Sequence, residues 1–354
     1  MPATTIDTFF ACSLLVILVV SAMAVMPKVM YPFMDGLAHK NDNERLQQLV
    51  QYILLSTGAP SGWGIRRDIV PSSFGLALNS TVPYALDADK VTRLNSRNRY
   101  AITYAQLLDA LKVSNIALKI SVQPIFNTSI ALLSSINNGT QTNYNFEITA
   151  ENSGRAIASD ASSYFVVRDY VDNIVISTDS SGKGVASFSV PNSVNGSALL
   201  IVFAKAMADP NVISFGVYSF GHNASIPEPN GIFTRPTPLN YVLNASFNYP
   251  DEQISGAYAF SYGYWASLTR LSNATQTVEY SFPRFLDKSA NILVLTGFNG
   301  TKSFAEWVSY PQIPLDIGVN FDSSTSKRSV ASFTYIVTIN VALYELQIKC
   351  REVD

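Results

Sequence analysis

Cysteine and histidine are nearly absent: two of each occur in 354 residues. Cys12 lies in an apolar run and Cys350 near the C-terminus, so no disulfide between them is expected and burial of apolar surface must hold the fold. His39 and His222 stand alone, with no His/Cys cluster at metal-ligand spacing, and no cofactor is expected. Charge is also scarce. Charged residues make up 14%, against about 25% in ordinary soluble proteins. The net charge is -2, and no basic run of the kind that nucleic acid needs is visible. No nucleophile elbow or phosphate loop occurs, and Gly182-Lys183-Gly184 reads as a turn. These gaps argue against an enzyme.

Apolar residues are present in quantity, at 47%, with Ser, Thr and Asn filling the polar positions. That balance suits an extracellular β protein. Phe9 to Met26 is an uncharged run of eighteen residues, at the lower limit for a spanning helix. Phe9, Leu14, Leu15, Ile17, Leu18, Val19, Val20, Val25 and Met26 supply its apolar surface, and the lipid bilayer is the partner it implies. A signal peptide is the rival reading, with Ser21-Ala22-Met23-Ala24 as a weak cleavage candidate; no basic residue precedes the run. Lys28 and Lys40 after the run cast a weak vote for a cytoplasmic chain, because long domains translocate largely regardless of charge. Eight Asn-x-Ser/Thr sequons vote the other way: Asn79, Asn127, Asn138, Asn195, Asn223, Asn244, Asn273 and Asn299, all after the run. An uncleaved anchor with the bulk of the chain outside the cell is therefore expected.

A second helix is expected over 43–55, where Leu46, Leu49, Val50, Ile53 and Leu54 share a face. Gly58 and Pro60 end it, and Trp63 is expected to plug the following loop onto a core. Short helices are expected over 86–94 and 100–111, the second with Ile102, Ala105, Leu108 and Leu111 inward. From Asn115 the period becomes two, with Ile116, Leu118, Ile120 and Val122 on one face. Strands follow near 144–150, 164–167, 173–176, 185–191, 198–206 and 213–218, then 241–249, 258–268, 278–282, 291–296 and 329–350. The last reads equally as a hairpin or one bent strand. The expected class is α+β, mostly β: a long N-terminal transmembrane helix, then antiparallel sandwich domains. The expected divisions are 1–57, 58–135, 136–228 and 229–354.

Two stretches invite a site. Asp169, Asp172 and Asp179 could approach one another for calcium, although their spacing fits no known loop. Tyr258, Phe260, Tyr262 and Tyr264 alternate beside Trp265, either as sheet core or as a carbohydrate- or partner-binding surface. Asp251-Glu252 reads as a solvated turn.

Three segments carry a resemblance. Leu54-Leu55-Ser56-Thr57-Gly58-Ala59-Pro60-Ser61-Gly62-Trp63, then Phe74-Gly75-Leu76-Ala77, then Leu86-Asp87-Ala88-Asp89-Lys90-Val91 resemble motifs of archaeal type IV pilin-like membrane proteins. The resemblance covers roughly residues 1–125, together with a closing strand at Val341–Leu346. It departs at the N-terminus, which shows no basic leader before the apolar run. Separately, Ser177 to Phe188 and the turn Asn152-Ser153-Gly154-Arg155 resemble Ig-like modules of surface proteins. Together these imply a non-enzymatic surface, adhesion or filament protein that self-assembles through its helix or meets envelope partners. An anchored accessory module of a transporter or envelope complex is the alternative.

Overall fold

The computed structural model describes residues 43–300, 302–321 and 329–353. The expected anchor, with every residue named for it, lies outside these. No helix among the described residues is long and apolar enough to cross a membrane. Two compact units meet in sequence at Gln51 and Tyr52. Residues 43–55 are helical, with Leu46, Val50, Ile53 and Leu54 buried and Leu49 half-buried.

The described chain is mostly β, 54% strand and 10% helix. Its centre is a four-stranded antiparallel sheet in the order Ile213–His222, Gly196–Ala206, Ser159–Val167, Tyr170–Ser177. Both faces of the two middle strands are covered. On one side Phe165, Val167, Leu200 and Val202 pack with Tyr144, Phe146, Ile148 and Phe188. These last come from a second sheet, in which Gln141–Asn152 pairs with Asn127–Asn137 and Lys183–Pro191. On the other side Tyr164, Val166, Leu199, Ile201 and Phe203 meet Tyr258, Phe260, Ile292 and Val294. Those belong to a third sheet, in the order Trp265–Ser267, Glu252–Phe260, Asn291–Asn299, Lys302–Tyr310. The result is three stacked β layers. Alternation sends successive side chains to opposite faces, so a middle strand needs an unbroken apolar run. Ala198 to Ala204, fully buried throughout, is that run.

Of two further sheets, one is built within residues 234–281 and the other joins segments distant in sequence. In one, Thr234–Leu239, Val242–Phe247, Thr277–Ser281 and Thr269–Ala274 lie side by side. In the other, Ile116–Pro124 lies between Leu315–Gly318 and Ala342–Glu352, with Ala331–Ile339 and Ala85–Leu86 beyond. Ile116, Leu118, Ile120 and Val122 are buried as their spacing predicts. The C-terminal stretch is a hairpin. Its turn residues Asn340 and Val341 have φ of 49° and 73°, the left-handed pair that a tight two-residue turn needs. The sheets cross the sequence divisions drawn at 135 and 228, since one joins residues 116–124 to the C-terminus.

Several local expectations shift. The helix expected over 100–111 is Tyr104–Leu111, because Thr103 and Gln106 close a capping box there. Its buried face is Leu107, Ala110 and Leu111, and Ala105 is exposed. The helix expected over 86–94 is Ala88–Thr92. The strand expected over 258–268 breaks after Phe260 and returns at Trp265. Glu252 is buried in a strand start, its carboxylate accepting from the Asn248 amide at 3.1 Å.

Candidate functional site: a junction around Lys90

The three segments of the pilin-like resemblance converge in space. Asp87 stands at the start of the short helix and accepts from the Asp89 and Lys90 amides at 2.9 and 3.0 Å. That cap sets the turn that drives Lys90 inward, where its side chain is fully buried. Lys90 Nζ donates to the carbonyls of Thr57 at 2.9 Å and Ala77 at 2.7 Å. One carbonyl comes from each of the other two segments. Burial pulls the lysine pKa down, and Asp87 works against that shift.

Glycine lets the segments approach. A Cβ on Gly75 would lie 2.3 Å from the Ser56 carbonyl oxygen, and one on Gly64 would lie 2.8 Å from Lys90 Cγ. The Ala77 amide donates to Ser56 O and the Leu76 amide to Ile53 O, each at 2.9 Å. Trp63 is buried as expected, and its indole N–H donates to Gly75 O at 3.2 Å. Arg93 sits over the Trp63 ring and donates to the carbonyls of Trp63, Arg66 and Tyr100. One helical turn therefore carries two buried cations, each held by backbone carbonyls.

Asp89, 7% exposed, faces the C-terminal sheets. Its Oδ1 accepts from the Asn240 amide at 2.7 Å and the Tyr310 hydroxyl at 2.9 Å. Burial raises the Asp89 pKa, and these two donors oppose the rise. Tyr310 packs in turn against Tyr241 and Phe282. Chemically the junction is a joint. A fully buried lysine bonded to two carbonyls offers no amine to a substrate. The sequence marked Asp87 and Lys90, but neither Arg93 nor the Asp89–Tyr310 contact.

The remaining sequence candidates disperse. Among the described residues no group of three His, Cys, Asp or Glu could hold a metal ion, so Asp169, Asp172 and Asp179 do not form a calcium site. Asp179 instead closes its own turn, accepting from the Ser181 hydroxyl and the Ser181 and Lys183 amides, which hold its carboxyl below the usual range. His222 is fully buried, its Nδ1 at 2.8 Å from the Tyr144 hydroxyl and its Nε2 at 3.1 Å from Pro191 O. Burial pushes the free Cys350 thiol up to about 12.

Six sequon asparagines are exposed: Asn79, Asn127, Asn138, Asn195, Asn223 and Asn273. Asn299 is half-buried. Asn244 is buried, donating to Glu279 at 3.2 Å. The aromatic strand divides. Tyr258 and Phe260 are core, whereas Tyr264 is 56% and Trp265 43% exposed beyond the turn. Elsewhere a groove of about 780 Å³ runs past Asn95, Arg97, Arg235 and Trp307.

No family model matches the chain, and no curated protein matches it. Among solved structures it is similar to the transglutaminase of red sea bream, at 10% identity and a TM-score of 0.21. That likeness covers 55% of this chain and 30% of the transglutaminase, and at this level it carries no argument for fold or activity.

Proposed function

We propose that the chain is a non-enzymatic, membrane-anchored surface protein of pilin-like build, with an Ig-like β-sandwich and further sheets outside the cell. The convergence of the three motif segments on Lys90 supports this reading most directly. Segments that resemble one family only when taken together also form one physical unit here. The exposed sequons add support for an outside address: six asparagines are open to an oligosaccharide, and Asn244 is left out of the set.

In this reading Phe9 to Met26 is the anchor, and the same apolar run is the surface through which copies would assemble. Washing native membranes with alkaline carbonate and shaving intact cells with protease tests the address. The expected outcome is retention in the pellet, with the β layers lost from shaved cells. Release into the carbonate wash would sink the anchor. Sizing the extracted protein tests assembly, where a strict monomer without filaments would remove the filament version. The alternative, an anchored binding module of an envelope complex, is favoured by the open groove beside Arg97.

A further inference from the structure

The groove past Arg97 gathers positive charge that no stretch of the sequence displays. Arg235 donates from Nε and Nη2 to the backbone carbonyl of Arg97, each at 3.4 Å. Arg235 lies directly opposite Ser246 in the antiparallel ladder. Facing residues in such a ladder stand side by side on one face. The Arg99 guanidinium donates to the Ser246 hydroxyl at 3.2 Å, which places it beside Arg235. All three arginines are exposed.

Nearby carboxylates are already taken. Glu279 accepts from Arg67 at 2.8 Å and from Asn244. Asp316, on the groove wall, pairs with Lys119 at 3.5 Å. Glu306 is buried and accepts from the Gly231, Phe233 and Thr234 amides and the Thr234 hydroxyl. Among the described residues, no carboxylate forms an ion pair with Arg97, Arg99 or Arg235.

The wall is fixed before any ligand arrives. The same Glu306 bonds hold residues 231–234, which lead into Arg235. The Asn230 side chain clamps the backbone of Trp307 from both sides, at 2.8 and 2.9 Å. Trp307, half-buried, lines the groove with Asn95 and Ser96. A volume of about 780 Å³ suits a ligand of two or more sugar rings.

We propose that this groove binds an acidic polysaccharide through carboxylates on successive sugars. Guanidinium forks match carboxylates in a bidentate way. Arg97 and Arg235 line the groove and Arg99 stands beside Arg235, an array that suits a polymer with repeated charge. The inference rests on reading the chain as a surface protein, where such polymers are met.

The test uses the full chain in detergent micelles and a defined probe, an oligogalacturonate. Its methyl-esterified form and a polyglutamate of equal charge serve as comparisons. Calorimetry is expected to show binding of the oligogalacturonate that weakens as salt rises. The Arg97→Ala/Arg235→Ala pair should weaken it at least about tenfold. Arg235→Lys, which keeps charge and loses the fork, should fall between. The substituted side chains are exposed, so an unchanged melting temperature certifies the fold of each variant. Absence of binding to wild type, or equal binding by the double variant, overturns the proposal. Equal binding of polyglutamate overturns the sugar and leaves an acidic peptide in its place. Binding that persists in a chain shown by shaving to be inside the cell separates the site from the surface reading.

Discussion

Between the sheet that carries Tyr144 and the sheet that carries Phe165, the core is mainly hydrophobic, with the buried His222 bonded to Tyr144 among the packed rings. Around Lys90, at the junction, two buried cations hang on five backbone carbonyls. Both regions bury their central side chains, yet they are stabilised differently. Apolar burial is non-directional and scales with area, so the layers accept changes of shape that preserve volume. A buried cation is directional. Removing it leaves its acceptors buried without partners, and each pays the full desolvation cost. The layers should therefore be robust to conservative exchange and the junction brittle.

The largest effect is expected where the two regions resemble each other least. Phe165 is fully buried and touches the rings of Tyr144, Phe188 and Phe220. Phe165→Ala should cost about 3–5 kcal/mol in denaturant unfolding, through lost burial and a cavity. A loss too small to measure would mean that the layers do not depend on their aromatic core. Lys90→Met keeps the shape and removes the donor. With two carbonyls stranded, and the desolvation of an ammonium relieved, a loss of roughly 2–3 kcal/mol is expected. Gly75→Ala drives a methyl into Ser56 O and should cost about 1–3 kcal/mol. Leu200→Met sharpens the contrast. It makes the same replacement residue in the fully buried middle layer, and should cost under about 1.5 kcal/mol. If Lys90→Met and Leu200→Met prove equally mild, the distinction between directional and non-directional holding fails.

The same difference explains what the sequence made legible. Strands could be read because a half-buried strand alternates, as in Ile116, Leu118, Ile120 and Val122. The middle layer was visible as the run 198–206, but not its two-sidedness, because an apolar run does not say which sheets cover it. Trp63 was anticipated as a plug because an aromatic in a Gly/Pro loop has few alternatives. Lys90 was marked only through resemblance. Its partners are backbone carbonyls, which every residue carries, so no side-chain pattern announces them. The arginine rim is the extreme case. Arg97 and Arg99 lie between short helices and Arg235 lies between Thr234 and Pro236, with the strands from Ile116–Pro124 through Ile213–His222 separating them in sequence. Charge read along the chain shows no patch; the ladder opposite Ser246 and the bonds from Arg235 to the Arg97 carbonyl bring the three together. The aromatic run 258–265 failed differently. Period two was extended across a turn pinned by the Ser261 amide on Tyr264 O, and that turn puts Tyr264 outside.

The smallest expected effect lies within the junction and separates its two signs of charge. Asp89 is a buried acid that accepts two hydrogen bonds, and burial raises its pKa above the ordinary 3.8. The native state therefore holds this proton at a pH where the unfolded chain has released it. The stability that this proton contributes is fully present below the ordinary value and is lost as pH rises through the native one. Asp89→Asn keeps an Oδ1 able to accept from the Asn240 amide and the Tyr310 hydroxyl, without a charge to desolvate. Well below that ordinary value, where both side chains are neutral in either state, variant and wild type should unfold together. Toward about pH 7 the variant should gain relative to wild type, since only the wild type then carries a buried carboxylate. Melting temperatures of the pair across that range test the point: curves that stay parallel would show that Asp89 titrates alike in both states. Lys90 gives no such relief, because its neutral replacement cannot donate to Thr57 and Ala77. The acid half of the junction can lose its charge and keep its bonds, whereas the basic half loses both together.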